Sequence, residues 1–269
     1  MSNLAIKVGS FNIRYAENNK KDVGDRHWNV RKRYVVERLI ELNLDVFGTQ
    51  EGSLGQNEYL KGELKEFDYY GVGREDGISQ GEFCAIFFRR ERFQPIKSET
   101  FWLSLTPEKP SKDFGSSLKR ICSYVILKSK ENGREFLVAN AHLDHIFGVA
   151  RENQMKVLIK KLEKWKYPKI IMGDFNCGFN SKPYNLLKSA GFIDSYLAKS
   201  LKLKNDNDLL TFHDFSQRSK KFISRNGKFR IDWIFVSAEI NVLDAGIRID
   251  REKENIASDH FPIFALLEL

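Results

Sequence analysis

Short apolar runs separated by polar turns dominate the chain, and runs of this length and composition predict β-strands. Such runs occupy residues 6–13, 45–51, 69–73, 82–88, 93–101, 120–127, 135–142, 169–173, 231–236, 242–249 and 261–267. Apolar residues at helical spacing are fewer, and they predict helices over residues 29–42, 54–64, 148–165 and 183–190. Hairpins mixed with crossover units indicate an α/β protein in which two sheets pack together with helices outside.

The connections between these segments refine the prediction. The charged turn at residues 89–92 indicates that the strands on either side of it are neighbours in one sheet. An Asn-Gly pair is typical of a tight turn and predicts a hairpin between residues 120–127 and 135–142. No internal repeat and no linker rich in Pro, Gly or Ser interrupts the sequence, so residues 1–269 are expected to form a single domain.

Composition narrows the class of protein. Hydrophobic residues make up 42% and aromatic residues 13% of the 269 residues, which is enough for a large core and excludes global disorder. The formal net charge of +8 favours anionic partners. Three cysteines without a Cys-x-x-Cys pair argue against a disulfide framework and a structural zinc site. With no leader-like N-terminus and no apolar stretch near the ~20 residues of a membrane span, we expect a cytoplasmic monomer without membrane contact.

The leading candidate for chemistry is the apolar run that ends in Gly173. It places Asp174 and Asn176 just beyond the C-terminal end of a buried strand, where α/β folds bind their ligands. An Asp-x-Asn pair on a rigid strand can hold a water molecule or a phosphate oxygen in place. An isolated Gly-Asp pair is equally typical of an ordinary turn, but similar polar clusters at other strand ends favour the first interpretation. The polar residues at predicted strand ends are Asn12, Glu51, Glu82, Arg120, His142, Asp174, Asn176, Asp232, Asp259 and His260.

These side chains suit the handling of a phosphate group. Oxygens from Glu51, Asn12 and Asp259 are hard ligands that fit Mg²⁺ or Mn²⁺ better than zinc. Histidines and further carboxylates can divide the roles of acid, base and orienting group. An arginine can neutralise a phosphate oxygen with its planar fork.

Six segments of the chain resemble the ordered motifs of the endonuclease/exonuclease/phosphatase superfamily. They are Phe11-Asn12-Ile13-Arg14, Gln50-Glu51, Asn140-Ala141-His142-Leu143, Gly173-Asp174-Phe175-Asn176, Arg230-Ile231-Asp232-Trp233-Ile234-Phe235 and Ser258-Asp259-His260-Phe261-Pro262. Each motif is weak alone, but their order over nearly the whole chain is specific. Within the superfamily, the chain resembles small bacterial stand-alone members in particular. The resemblance implies a four-layer α/β/β/α sandwich of two packed mixed sheets and a metal-dependent phosphoric ester hydrolase.

The resemblance also implies roles for individual residues. Metal ligands for Mg²⁺ or Mn²⁺ are expected at Glu51, Asn12 and Asp259. Catalytic groups are expected at His142, Asp174, Asn176, Asp232, His260 and Glu82. Substrate-binding groups are expected at Arg120, Arg14 and His145, the first of which resembles an arginine that contacts the scissile phosphate. Among these residues, Asp232 is expected to orient His260. The alternative is that Asp232 only pairs with the nearby Arg230. Glu82 pairs with His142, as in the deoxyribonuclease-like branch.

The favoured function is that of a phosphodiesterase or nuclease, which cleaves a P–O bond by in-line attack of an activated water. Positive charge and the His142–Glu82 pair favour nucleic acid as the substrate. A phosphatase or phosphodiesterase acting on a phosphorylated small molecule or a lipid headgroup is the alternative, and a catalytically silent binding scaffold is the third hypothesis. A basic run within residues 218–230 fits either a contact with a phosphate backbone or an ordinary solvated loop.

Overall fold

The computed structural model of the protein describes residues 3–16, 22–199, 210–215, 230–250 and 255–269. Its strands are β1 (Ala5–Asn12), β2 (Val46–Gly52), β3 (Phe67–Tyr70), β4 (Phe83–Arg89), β5 (Phe93–Trp102), β6 (Ile121–Ser129), β7 (Glu135–His142), β8 (Lys169–Asp174), β9 (Phe192–Asp194), β10 (Asp232–Ser237), β11 (Asn241–Ile247) and β12 (Ile263–Glu268). Its helices are α1 (Trp28–Leu42), α2 (Leu54–Glu63), α3 (Gly148–Leu162), α4 (Lys182–Ser189) and α5 (Ser195–Lys199), with a 3₁₀ turn at Gly24–Arg26. Among these described helices, none is both long and apolar enough to cross a membrane. The basic run is described only at Arg230, and its other basic residues lie outside the described ranges.

The described strands form two six-stranded mixed sheets. The first has the order β11-β12-β1-β2-β4-β3 and the second the order β5-β6-β7-β8-β10-β9. In these sheets β1 is parallel to β2 and β7 is parallel to β8, and the other described neighbours are antiparallel. The predicted hairpin is present as β6 and β7, and Gly133 in its turn has the positive φ of 74° that glycine adopts easily.

One predicted connection is wrong. The strands before and after residues 89–92 do not pair, because β4 lies in the first sheet between β2 and β3, whereas β5 lies at the edge of the second sheet beside β6. Both edges of β4 are already hydrogen-bonded to β2 and β3, so the strand that follows Arg89 cannot pair with it. A charged turn between two apolar runs fits a hairpin and a crossing between sheets equally well, so the pattern alone did not distinguish them.

Apolar side chains from the facing sides of the two sheets form the central core. Its buried members include Val8, Val46, Ile86, Val138, Ile170 and Ile234. Helix α3 packs on the outer face of the second sheet through Met155 and Leu158. Helices α1 and α2 pack on the outer face of the first sheet through Val35 and Leu60. The order helix, sheet, sheet, helix is the four-layer sandwich that the resemblance implies.

A buried asparagine joins the two sheets. Asn140 on β7 donates to the carbonyl oxygens of Thr49 at 2.9 Å and Ala85 at 2.8 Å, both in the first sheet. It accepts a hydrogen bond from Gln50 Nε2 at 2.7 Å. A buried amide is stable only where its donors and acceptor are satisfied, so these bonds fix how the sheets pack on each other. Because Gln50 directly precedes Glu51, they also fix the end of β2.

Strand β8 approaches β7 so closely that only glycine fits before its last residue. Gly173 has a φ of +145°, and a Cβ atom there would lie 1.9 Å from the carbonyl oxygen of Ala141. This approach brings the ends of the two strands together. Asp174 and His142, which occupy those ends, are cross-strand neighbours.

Candidate active site

The ends of five strands carry polar side chains to one edge of the sandwich. Asn12, His142 and Asp174 end β1, β7 and β8. Asp232 begins β10 and lies opposite Asp174 in the antiparallel pairing. Glu51 lies at an irregularity in the pairing of β2 with β4, where its φ of 62° turns the side chain away from the regular alternation. Residues far apart in sequence therefore meet, as strand-end motifs of an α/β sheet predict.

The carboxylate of Asp174 is at the centre of this group. Its Oδ2 atom lies 3.0 Å from Asn12 Nδ2, 3.5 Å from His142 Nε2 and 3.7 Å from His260 Nε2. Its Oδ1 atom accepts the backbone N–H of Asn176 at 2.8 Å. Burial raises the pKa of Asp174 to about 7. A carboxylate with this pKa can take up a proton near neutral pH.

His260 is paired with a carboxylate. Its Nδ1 atom lies 2.8 Å from Asp232 Oδ2, and both side chains are buried. Burial lowers the pKa of His260, but the charge and the hydrogen bond of Asp232 outweigh it and raise the pKa to about 10. The ring is therefore an imidazolium at neutral pH. The alternative partner of Asp232, Arg230, bonds instead to Asp194 at 2.5 Å.

The second histidine is a neutral ring with a defined tautomer. Asn176 Nδ2 lies 2.9 Å from His142 Nε2 and 3.0 Å from the carbonyl oxygen of Leu143. An amide nitrogen only donates, so Nε2 of His142 accepts and its hydrogen is on Nδ1. Burial and the nearby guanidinium of Arg120 lower the pKa of His142 well below its usual value.

Glu82 lies next to His142, as the resemblance implies, but beyond hydrogen-bond distance. Its Oε2 atom lies 3.7 Å from His142 Nδ1 but 2.5 Å from Arg74 Nη1. Arg74 reaches it because the two residues are also joined by a backbone hydrogen bond of 3.1 Å. Arg120 Nη1 lies 3.7 Å from the same oxygen, and the Nε and Nη1 atoms of Arg120 are buried without a hydrogen-bond partner. Arg74 Nε also lies 3.4 Å from Glu75 Oε1, so the two buried guanidinium groups face two carboxylates, and the N–H groups of Arg120 that lack a partner suit an anion.

Asn12 presents its nitrogen, and not its oxygen, to the carboxylates of the site. Its Nδ2 atom donates to Glu51 Oε1 at 2.9 Å as well as to Asp174, and its Oδ1 atom accepts the backbone N–H of Arg14 at 3.0 Å. In this arrangement the side chain orients two carboxylates and is not itself placed as an oxygen ligand. Burial raises the pKa of Glu51, but the hydrogen bonds from Asn12 and the backbone of Tyr15 lower it overall.

Asp259 is engaged by an arginine. Arg14 Nη1 lies 3.1 Å from Asp259 Oδ2, and Arg14 Nε lies 3.2 Å from Asp22 Oδ2. Behind this ion pair, the buried Arg31 of α1 donates to two backbone carbonyl oxygens, one just after β1 at 3.0 Å and one shortly before Asp259 at 2.7 Å. One helix thereby holds together two chain segments that carry site residues.

The donor set fits a hard divalent cation. Ligand atoms of Glu51, His142 and Asp174 lie within 4.8 Å of one another, as do those of Asp174, Asp232 and His260. The second group already contains the pair of Asp232 with a protonated His260, so Glu51 is the carboxylate best placed to hold Mg²⁺ or Mn²⁺, and Asp174 beside it is left free to accept a proton. Such an ion would stabilise negative charge on phosphoryl oxygens.

The sequence model of the Endonuclease/Exonuclease/phosphatase family matches residues 9–260, a range that contains every side chain described above. This chain belongs to that family. It is similar over its whole length to the crystal structure of a family protein from Bacteroides thetaiotaomicron, with 34% identity, coverage of 100% of this chain and 99% of that chain, and a TM-score of 0.85. It is also similar to a mannosyl-6-phosphatase of the same organism, with 34% identity, coverage of 97% and 99%, and a TM-score of 0.83.

Curated relatives in the Endonuclease/Exonuclease/phosphatase family are longer proteins. Carbon catabolite repressor protein 4 homolog 3 of Arabidopsis thaliana is 27% identical over 172 residues, which are 61% of this chain and 36% of that protein. Matches to fungal exoribonuclease subunits named Ccr4 cover from 21% to 34% of those proteins. The chain therefore spans about a third or less of the length of the curated relatives it matches.

Family membership confirms the fold and the enzyme class that the motifs imply, because Endonuclease/Exonuclease/phosphatase proteins are phosphoric ester hydrolases. The residues that contact the site and were not singled out from the sequence include Arg74, Asp22, Arg31 and Phe212, whose ring lies 4.9 Å from that of His260. Arg74 lies in a charged, glycine-rich loop that composition marks only as a loop. Asp22 and Arg31 belong to no strand end, and Arg31 bonds to the backbone of Ala257, too far along the chain for a local pattern to indicate it.

Proposed function

We propose that this chain hydrolyses phosphoric esters with the help of a divalent cation, and that its substrate is a small molecule bearing a terminal phosphate, such as a hexose phosphate. The reaction rests on one observation: Asp174 lies between a neutral histidine and a protonated one, and shares Asn12 with Glu51. The 34% identity to a mannosyl-6-phosphatase over nearly the full length of both chains supports the substrate class.

The side chains of the site divide the work of in-line hydrolysis. Asp174 holds the attacking water and accepts its proton, since its pKa of about 7 suits a base at neutral pH. The imidazolium of His260, held by Asp232, donates a hydrogen bond to a phosphoryl oxygen, where negative charge increases in the transition state. As the bond from phosphorus to the water oxygen forms, the bond to the leaving alcohol oxygen breaks, and that oxygen takes up a proton.

The balance of charge also supports a terminal phosphate. A phosphate monoester carries nearly two negative charges near pH 7, whereas a diester carries one. Beyond His260, the site offers the guanidinium group of Arg120, which lies 3.7 Å from Glu82, whereas Arg74 is paired with both Glu82 and Glu75. The unpartnered N–H groups of Arg120 can bind the additional charge of a monoester.

The test is a product-analysed panel of substrates with Mg²⁺, with Mn²⁺ and with EDTA. It contains hexose 6-phosphates, ethyl phosphate, an aryl phosphodiester and single-stranded RNA and DNA. We expect metal-dependent release of inorganic phosphate from the monoesters, and a loss of about 10²- to 10³-fold in kcat for His260→Gln. Turnover of the diester or the nucleic acids without any phosphate release from monoesters would contradict the substrate class. No turnover of any ester with either metal would contradict the reaction.

A nuclease acting on single-stranded nucleic acid is the second candidate. The formal net charge of +8 and the similarity to proteins named as exoribonuclease subunits support it. If it is correct, RNA is cleaved with a higher kcat/KM than any hexose phosphate, and RNA binding weakens steeply as salt is raised.

A further inference from the structure

The turn that follows β7 has a rigid backbone and lies beside the proposed catalytic site. The carboxylate of Asp144, which is fully buried, accepts the backbone N–H groups of Ile146 at 2.8 Å and Phe147 at 2.6 Å. It also accepts the hydroxyl of Ser116 at 2.6 Å, and the backbone N–H of Asp144 donates to Gln154 Oε1 at 2.8 Å. Bonds on both sides of the turn therefore fix the positions of the residues that it carries.

One of these residues, His145, offers a hydrogen-bond donor of known position. Arg120 Nη2 lies 3.0 Å from His145 Nδ1. Guanidinium nitrogens only donate, so Nδ1 accepts and the hydrogen of the neutral ring is on Nε2. The side chain of His145 is exposed, whereas Arg120 is buried and leads through Glu82 to His142 with distances of 3.7 Å at both steps. The ring of His145 is thus one hydrogen bond away from Arg120, the arginine proposed to bind the phosphate.

The same turn exposes apolar surface. Phe147 is 48% exposed and its neighbour Ile146 is 52% exposed. Covering water-exposed apolar surface lowers the free energy of the complex. A ring on a fixed backbone loses little conformational freedom when a ligand covers it. A donor and an aromatic face, two residues apart on one rigid turn, together match a molecule that has both hydroxyl groups and an apolar C–H face.

We propose that His145 and Phe147 form the subsite for the leaving alcohol, and that this alcohol is a sugar ring. The Nε2–H of His145 donates to a hydroxyl group of the sugar, and the ring of Phe147 packs against its C–H face. A hexose phosphorylated on its primary alcohol has its ring one carbon away from the ester oxygen, so the ring lies close to the phosphate-binding arginine. The proposal rests on the proposed function and adds the residues that select the substrate.

The test compares two substrates that share the phosphate but differ in the alcohol. Hexose 6-phosphate has the ring and its hydroxyl groups, and ethyl phosphate has neither. The measured quantity is the ratio of kcat/KM for hexose 6-phosphate to that for ethyl phosphate, with Mg²⁺, in the wild type and in His145→Ala, Phe147→Ala and Phe147→Tyr. We expect each alanine variant to lower this ratio about tenfold or more, as the loss of one substrate contact does, and Phe147→Tyr to restore most of it. Ile40→Ala, at a position on α1 that is 60% exposed, is the matched control and should leave the ratio unchanged.

Each other outcome is informative. An unchanged ratio in both alanine variants, or an equal loss on both substrates, overturns the subsite while the proposed function stands. A change in RNA cleavage without a change in the hexose phosphate ratio assigns the turn to nucleic acid and also overturns it. A wild-type protein that hydrolyses neither monoester contradicts the proposed function, and the subsite falls with it.

Discussion

At the scale of single residues, the pair of His260 with Asp232 makes stability depend on pH. Folding raises the pKa of His260 from 6.5 to about 10, so the folded protein binds a proton that the unfolded chain has already lost between these values. The stabilisation is fully present below pH 6.5 and disappears as pH rises toward 10. We expect the free energy of unfolding in EDTA to fall over this window, on the order of a few kcal/mol, and to fall less in Asp232→Asn. Urea unfolding at a series of pH values measures this, with the exposed His27→Gln as control. Identical slopes in wild type and Asp232→Asn would refute the pairing.

A second prediction at this scale concerns Glu51, whose carboxylate is the proposed cation ligand. A ligand that binds only the folded state raises the melting temperature, and at 100 times its Kd it adds about 2.7 kcal/mol of stability. We expect Mn²⁺ or Mg²⁺ to raise Tm in wild type and in the exposed control Glu63→Gln, and EDTA to reverse the rise. Glu51→Gln should show little rise. An equal rise in Glu51→Gln would place the cation elsewhere.

At the scale of elements, β8 depends on a glycine that no other residue can replace. Gly173→Ala puts a methyl group 1.9 Å from the Ala141 carbonyl oxygen, so β7 and β8 have to separate. We expect a loss of several kcal/mol in the free energy of unfolding, at the upper end of single substitutions, and loss of activity, because Asp174 moves with the strand. Gly62→Ala is the matched control, since a Cβ atom there meets no atom within 4 Å and the position is inside α2. That substitution should stabilise by about 0.5–1 kcal/mol, and chemical denaturation measures both.

The same elements show what the sequence can predict. Apolar periodicity placed most of the described strands and helices to within a few residues, because burial on one or both faces of an element imposes that periodicity directly. It did not predict β9 and α5, which at three and five residues are too short to show a period. Pairing partners follow from the folded chain as a whole, and so the neighbours of β4 and β5 were not correctly predicted. Site residues at strand ends were found because their motifs are short and local. Arg74 was missed because its contact with Glu82 depends on a loop conformation that composition does not specify.

At the scale of the whole molecule, Asn140 makes buried hydrogen bonds that join the two sheets near the end that carries the site. Asn140→Leu leaves the amide of Gln50 and two carbonyl oxygens with one partner fewer each. We expect a loss of about 2–4 kcal/mol in the free energy of unfolding, since unpaired buried polar groups cost about 1–3 kcal/mol each and relaxation recovers part of this. Urea unfolding is the measurement, and Asn241→Leu at an exposed position is the control. Equal stability of the two variants would show that the bonds of Asn140 contribute nothing to the packing of the sheets.

The placement of β1 between β2 and β12 has a consequence for biosynthesis. When β1 leaves the ribosome, the strand that covers its other edge is still untranslated, so that edge stays open during most of elongation. The second sheet uses only strands β5 to β10, which follow one another along the chain, and it can close earlier. An open edge is where nascent chains associate wrongly, which makes this edge a point at which chaperones would act. His260 lies just before β12, so this histidine reaches Asp232 and Asp174 only after the other strands of both sheets have been synthesised.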